Sequence, residues 1–391
     1  MTEYGRRTKL IKGASPPAEE ITPLTNPIYQ TTAFLFDSAE EVRRYAEGHS
    51  NTYLYSRYKN PTSVAVAATI AELEGAAAAL LFSSGMAATA TTFLTFLKSG
   101  DEVVCSTDVY GGTTLLLNNL LERLGVRVRF VTPKELCEPE KILHSSTRLI
   151  WFESPANPTL RCLNVRAIAA TCRKQQILSV VDNTFATPLN QQPLAFGVDL
   201  CMHSASKYLN GHSDVTAGVI TGCDELIDQV RTTRKLLGTV LDPAAAYALG
   251  RGLKTLDVRV ERHNKNAMEV AKFLDRDSRV KSVSYPGLPA HPDYDLAAAQ
   301  MNGFGGIVCL ELDGGLERAS RFFDRLKIFK RAVSLGGVES LCSLPVLTSH
   351  WGQSSELLRR AGVTAGMARL SVGLEDIQDL IADLDQALDS D

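Results

Sequence analysis

Two successive apolar runs, residues 177–181 and 198–202, each lead into a charged side chain, and no other feature constrains the fold as strongly. The first, Ile177-Leu-Ser-Val-Val, ends in Asp182. The second, Val198 to Met202, is followed by a hydroxyl-rich turn, Ser204 to Ser206, and then by Lys207. Short apolar runs of this kind read as strands buried on both faces. A charge at the end of a core strand is costly unless it has a partner. Taken alone, Lys207 fits an exposed strand end. Burial would instead depress its pKa and give a nucleophilic amine. In an open parallel sheet, ligands bind beyond the carboxyl ends of the strands, so Asp182 and Lys207 are expected at one crevice.

The rest of the chain alternates in the same way. Strands are expected over 78–82, 101–106, 126–131 and 149–152, and helices over 62–73, 85–98, 113–124 and 165–174. The run 218–222 is expected to return antiparallel. One long helical stretch, 244–274, leads into a smaller unit with strands near 280–285, 306–312 and 333–334 and helices over 316–326 and 377–388. Arg369 is expected in a short turn before an apolar strand. This pattern predicts an α/β protein with a mostly parallel central sheet, helices on both faces, and a smaller α/β C-terminal domain. Residues 1–58 lack periodicity, and Pro16, Pro17, Pro23 and Pro27 favour extended or turn structure. The expected organisation is an arm over 1–58, a large domain over 59–245 and a small domain over 246–391.

Bulk properties exclude several classes. At 391 residues the chain suggests two or three domains with a large core. A net charge of -3, with both signs mixed along the chain, argues against nucleic acid as a partner. The basic segment 251–263 contains acids and lacks stacking aromatics. Eight cysteines form no CxxC pair, and seven histidines no HExxH spacing, so reduced thiols in a cytoplasmic protein and no metal site are expected. Residues 75–97 carry no charge and could cross a bilayer, but they are rich in Ala, Ser, Thr and Gly and contain a Ser-Ser-Gly break. A strand, a turn and a core helix explain them, and no membrane association is expected. The polar, basic stretch from Met1 to Lys12 does not read as a secretory signal.

Pyridoxal phosphate needs a lysine to hold its carbonyl carbon as an imine and an acid to keep its ring nitrogen protonated. Lys207 and Asp182 supply both. Around them stand Tyr55-Ser-Arg57, Ser83-Ser-Gly85-Met86, Asp108-Val-Tyr110-Gly-Gly, Glu153-Ser-Pro-Ala-Asn157-Pro, Asp182-Asn-Thr, Ser204-Ala-Ser-Lys207-Tyr and Arg369-Leu-Ser-Val-Gly. In this order, from about Ile21 to the C-terminus, the chain resembles the Cys/Met-metabolism family of pyridoxal-phosphate enzymes. The resemblance implies fold type I, the aspartate-aminotransferase-like fold. It implies Lys207 as the Schiff-base and proton-shuttling lysine, Asp182 as partner of the ring nitrogen, and Tyr110 stacked on the ring. Gly85, Met86, Ser204 and Ser206 would hold the phosphate, with Tyr55 and Arg57 arriving from a neighbouring subunit. Asn157, Ser334 and Arg369 would bind the substrate carboxylate and orient the cofactor. A homotetramer built from two active dimers is implied, acting on a small amino acid.

Within the family, γ-elimination on a sulfur amino acid is expected, with cystathionine split to cysteine, 2-oxobutanoate and ammonia. Ser334-Leu-Gly-Gly-Val-Glu339 resembles the cystathionine enzymes, where the glutamate can face the distal amino group. Gly112 stands where methionine γ-lyases usually carry cysteine. Tyr55-Ser-Arg57-Tyr58 and Thr348-Ser-His350 are more similar to homoserine-ester sulfhydrylases. The alternatives are γ-replacement by a cystathionine γ-synthase, then methionine γ-lyase or sulfhydrylase, and, in another class, an inactive cofactor-binding regulator.

Overall fold

The computed structural model describes residues 4–12 and 23–389. Seven strands form the large sheet: Ala78–Phe82 (β1), Glu102–Ser106 (β2), Arg127–Val131 (β3), Thr147–Glu153 (β4), Leu178–Asp182 (β5), Leu200–His203 (β6) and Gly218–Gly222 (β7). Their order is β1-β7-β6-β5-β4-β2-β3. Only β7 runs against the rest, as expected for a return strand. β2, β6 and β7 are buried along their whole length, which is why they read as unbroken apolar runs. One face of the sheet packs Phe82, Trp151, Val180 and Ile220 against Phe93 and Val230, from the helices Gly85–Phe96 and Asp224–Leu237. The other face packs Ile150, Phe152 and Val181 against Ile168 and Cys172 of the helix Val165–Gln175. The uncharged stretch 75–97 is divided between β1 and a core helix. Among the described residues no helix is long and apolar enough to cross a membrane.

A second sheet follows, with Ser282–Ser284 (β8), Ile307–Glu311 (β9), Lys330–Arg331 (β10), Leu341–Ser343 (β11) and Met367–Ser371 (β12) in the order β10-β11-β12-β9-β8. Its core joins Val308, Leu310 and Leu370 to Phe322 and to Leu380 and Leu384 of the last helix, Ile377–Leu388.

Three sequence expectations fail here. Residues 333–334 are not a strand: Ser334 has φ 94°, in the left-handed region, and the pairing strand is Lys330–Arg331. Arg369 is not in a turn but in the middle of β12, opposite Cys309 and Ser343. The stretch 244–274 is two helices, Pro243–Leu253 and Leu256–Asp275. Arg259 accounts for that break. Its guanidinium donates to Gly252 O (2.8 Å) and Tyr208 O (2.7 Å), and its Nε to Thr255 Oγ1 (3.1 Å). A carbonyl at the end of one helix is thus satisfied by a side chain of the next. A sequence window sees only periodicity, which continues across the break.

Residues 1–3 and 13–22 of the expected arm, including Pro16 and Pro17, lie outside the described residues. The helix Arg6–Lys12 docks on its own chain. Leu10 is buried in the core, Arg6 donates to Leu189 O at 3.1 Å, and Lys9 pairs with Glu72 at 3.5 Å.

Arg259→Ala leaves the Gly252 and Tyr208 carbonyls without this donor. We expect a loss of about 2–4 kcal/mol, seen as an earlier chemical-denaturation midpoint at fixed protein concentration. An unchanged midpoint would show that something else sets the helix break.

Candidate active site

The carboxyl ends of β4, β5 and β6 deliver Glu153, Asp182 and His203 side by side. The chain then turns through Ser204–Ser206 to Lys207. Lys207 Nζ donates to Ser334 Oγ at 2.8 Å. Burial, then the nearby Arg369 guanidinium, lower its pKa to about 8, with Asp182 working in the opposite direction. Lys207 is therefore a half-buried, partly desolvated amine rather than an exposed strand end.

Asp182 is half-buried, and desolvation raises its pKa. Thr184 opposes this by donating its hydroxyl and its N–H (3.0 Å) to Asp182 Oδ1. Asp182 forms no hydrogen bond to Lys207 among the described residues. It stands as an acid with room for a further donor.

The helix Gly85–Phe96 begins at the same crevice, and Ser84 caps it by accepting from Ala87 N–H at 3.0 Å. Gly85 is needed there, because a Cβ would lie 3.0 Å from Ser204 Cβ and Oγ. The helix start and the Ser204 hydroxyl thus form a tight cradle with unused donors, which suits a phosphate. Ser206 fits that role less freely. Its hydroxyl donates to Ala217 O (3.2 Å) and accepts from Ala217 N–H (2.9 Å), closing the loop between β6 and β7.

Tyr110 caps the short helix Gly111–Leu116, and its N–H donates to Glu153 Oε1 at 2.6 Å. The Tyr110 side chain is half exposed and lies against Met86 and Gly112. A Cβ at Gly112 would fall well inside van der Waals contact with the Tyr110 ring and 3.1 Å from Met86 Sδ. Burial, with Asp182 nearby, holds the Glu153 carboxyl well above its usual range.

Arg369 is buried and reaches across from the second sheet. It donates to Asn157 Oδ1 (2.9 Å) and Ser334 O (3.0 Å), and its Nε has no partner. A guanidinium has five donors and only two are used here. The bond to Arg369, with that from Lys207, holds Ser334 in its left-handed conformation, a strained state for a non-glycine residue.

Lys207, Asp182, Tyr110, Gly85, Met86, Ser204, Asn157, Ser334 and Arg369 therefore meet around one crevice, as the sequence predicts. Tyr55 and Arg57 do not join them within the chain. Arg57 donates to Lys235 O at 2.8 Å and packs on the Tyr58 ring, and Tyr55 is 40% exposed. Glu339 lies beyond Ser334 on the same loop and accepts from Ser213 Oγ. Sequence reasoning passed over Glu153, Thr184, Glu74 and His203 as site residues. Glu153 and Thr184 stood inside quoted motifs, but the motif alone does not reveal that Glu153 holds the backbone of Tyr110.

The fold and this arrangement define a pyridoxal-phosphate-dependent enzyme of fold type I. The cradle that a Cβ at Gly85 would fill, the depressed lysine and the half-buried acid fit that cofactor. The family described as Cys/Met metabolism PLP-dependent enzyme matches residues 7–389, and the chain belongs to it. The chain is 44% identical over 369 residues to an L-methionine γ-lyase of Fusobacterium nucleatum subsp. nucleatum, covering 94% of this chain and 93% of that one. It is 44% identical over 347 residues to the cystathionine γ-lyase of Mus musculus, covering 87% and 86%. The structure of cystathionine γ-synthase from Xanthomonas oryzae pv. oryzae, in complex with aminoacrylate and cysteine, aligns with a TM-score of 0.92 at 36% identity, over 99% of this chain and 98% of that one.

In the apoprotein, acylation of Lys207 followed by peptide mass analysis should rise through about pH 8 rather than the ordinary 10.5. Arg369→Leu removes a neighbouring cation and should move that midpoint upward. A wild-type midpoint above about 10 would mean that the amine is solvated.

Proposed function

We propose that this enzyme is a cystathionine γ-lyase, with γ-replacement on an activated homoserine ester as the second reading. The observation that carries the choice is Glu339. Its carboxylate is half-buried on the Ser334 loop, and among the described residues it forms no ion pair. A carboxylate in that state suits the distal ammonium of cystathionine, a group that methionine lacks. Gly112 supports the same reading, since the cysteine usual in methionine γ-lyases would displace the Tyr110 ring. The sulfhydrylase-like Tyr58 and Thr348 support the second reading.

When bound, pyridoxal phosphate supplies an electron sink for the charge left as a proton leaves Cα. The chain's own residues would do the rest. Asp182 keeps the ring nitrogen protonated. Gly85, Met86 and Ser204 would hold the phosphate, and Ser206 would join them by turning its hydroxyl proton from Ala217 O toward it. Arg369 binds the substrate carboxylate with its unused donors, and Asn157 and Ser334 keep the guanidinium in place. Lys207, with a pKa near neutrality, can take the Cα proton and return it elsewhere. Tyr110 would stack on the ring and present its hydroxyl to the leaving sulfur. Eight free cysteines, six of them buried, suit the reducing cytoplasm.

Tyr55 and Arg57 would complete the phosphate site of a second subunit, making a dimer the smallest active unit and a dimer of dimers the assembly. Arg57→Ala and Lys207→Ala subunits, each inactive alone, should regain part of the activity when mixed, because one site in the mixed dimer draws on two intact copies. No recovery despite proven subunit exchange would mean that the arm serves its own chain.

Pairing of Glu339 with the distal ammonium should contribute about 1–3 kcal/mol. Glu339→Ala should therefore lower kcat/KM for cystathionine about tenfold or more, with activity on methionine level or higher. Equal losses on both substrates would remove the ground for preferring cystathionine. A product assay comparing cystathionine alone with a homoserine ester plus cysteine separates the two readings.

A further inference from the structure

Behind Asp182 lies a buried polar cluster that takes no part in the chemistry above. Glu74 ends the helix Pro61–Glu74, Cys201 and His203 lie on β6, and all three are closed to solvent. His203 Nε2 and Glu74 Oε1 meet in a short contact. Cys201 Sγ is 3.5 Å from that nitrogen and 3.6 Å from that oxygen. Asn183 Nδ2 also donates to Glu74 Oε1, at 3.3 Å. The other Glu74 oxygen has no partner, and His203 is the ion-pair partner of Glu74 among the described residues.

The three ligand-type atoms lie within 4.8 Å of one another, close enough to hold a metal ion. Two features argue against one. Asn183 aims a donor at the shared oxygen, where a cation would repel it. Burial pushes the Cys201 thiol well up, which disfavours the thiolate that binds metals. The cluster is better described as a closed, hydrogen-bonded Glu–His pair.

Its position gives that pair a task. Asp182 and Met202 are register partners on β5 and β6, and His203 is the next residue. Asn183 follows Asp182, and its N–H donates to Met202 O at 2.9 Å. The pair is thus tied to Asp182 on two sides, through the backbone of β6 and through Asn183. Burial raises the Asp182 pKa; the Thr184 hydrogen bonds, His203 and Lys207 lower it, in that order. Glu153 faces Asp182 with a charge of the same sign. Lys207 is the group that reacts, so its charge changes during turnover. His203 is the neighbour that the reaction leaves alone.

We propose that the Glu74–His203 pair is a positioning device that holds Asp182 ionised and aimed at the ring nitrogen of the cofactor. This rests on the reading of Asp182 as the partner of that nitrogen. Glu74 touches neither cofactor nor substrate and acts through His203 and Asn183.

The test compares two ligands on apoprotein: pyridoxal phosphate, and its 1-deaza analogue, in which C–H replaces the ring nitrogen. Glu74→Gln and His203→Gln keep hydrogen-bonding shape and remove charge. In both variants pyridoxal phosphate should dissociate about tenfold more readily or worse, the equivalent of one pKa unit at Asp182. Binding of the deaza analogue should stay within about twofold of wild type, the spread expected without coupling. Glu74→Asp, which keeps the charge, should recover most of the loss. Equal weakening of both ligands would mark the pair as merely structural and overturn the proposal. So would failure of both glutamine variants to fold. Asp182→Asn is the control: if it too fails to discriminate between the ligands, the assignment of Asp182 falls, and not the pair alone.

Discussion

The hydrogen bond from Lys207 to Ser334 joins the two halves of this enzyme at the point where its chemistry is placed. Lys207 stands beyond the end of β6 in the large sheet, and Ser334 on a loop beside the second sheet. Arg369, from the middle of β12, holds the carbonyl of the same serine and reaches back to Asn157 beyond β4. One strained residue is thus gripped from both sides. Two sheets separated in sequence are brought to one crevice by three polar groups, of which Arg369 is buried and Lys207 and Ser334 half-buried, each costly to desolvate alone.

The crevice concentrates charge. Glu153 and Asp108 are buried there and Asp182 half-buried, and desolvation raises the pKa of each. Lys207 and Arg369 oppose them, with their own pKa values lowered first by burial. Such a cluster is expensive for stability, and groups whose pKa values are shifted in this way gather at functional sites. The hydrogen bonds divide the acids by task. Glu153 is spent on the backbone of Tyr110, Asp108 on Ser106 and Thr159, and Asp182 keeps an open side.

Smaller features shape the surroundings of the crevice. The room at Gly112 sets where the Tyr110 ring can lie, and the loop from Ser334 to Glu339 packs on the segment after Lys207: Val338 N–H donates to Gly211 O at 3.0 Å, and Gly211 N–H to Lys207 O at 2.7 Å. A change in that loop is therefore felt at the reacting lysine. Overall identity is 44% both to a methionine γ-lyase and to a cystathionine γ-lyase, so it does not choose between those substrates.

The sequence by itself determined the central sheet, its return strand and most of the residues that meet at the crevice. Strands buried on both faces must be unbroken apolar runs, so Asp182 and Lys207 stand out at their ends. It did not determine where Arg369 or Ser334 lie. An arginine inside a strand reads as exposed or as part of a turn until tertiary structure supplies Asn157 and the Ser334 carbonyl from more than 30 residues away along the chain. The helix break at Lys254–Thr255 was hidden for the same reason: Arg259 stops the first helix by a contact that periodicity does not record. Glu74 and His203, 129 residues apart, show the limit most clearly. Each alone reads as an ordinary helix end or strand residue, and only burial in one closed pocket makes them a pair. Local order follows from the periodic placement of apolar residues. Buried polar partnerships depend on distances between segments that only the folded chain sets.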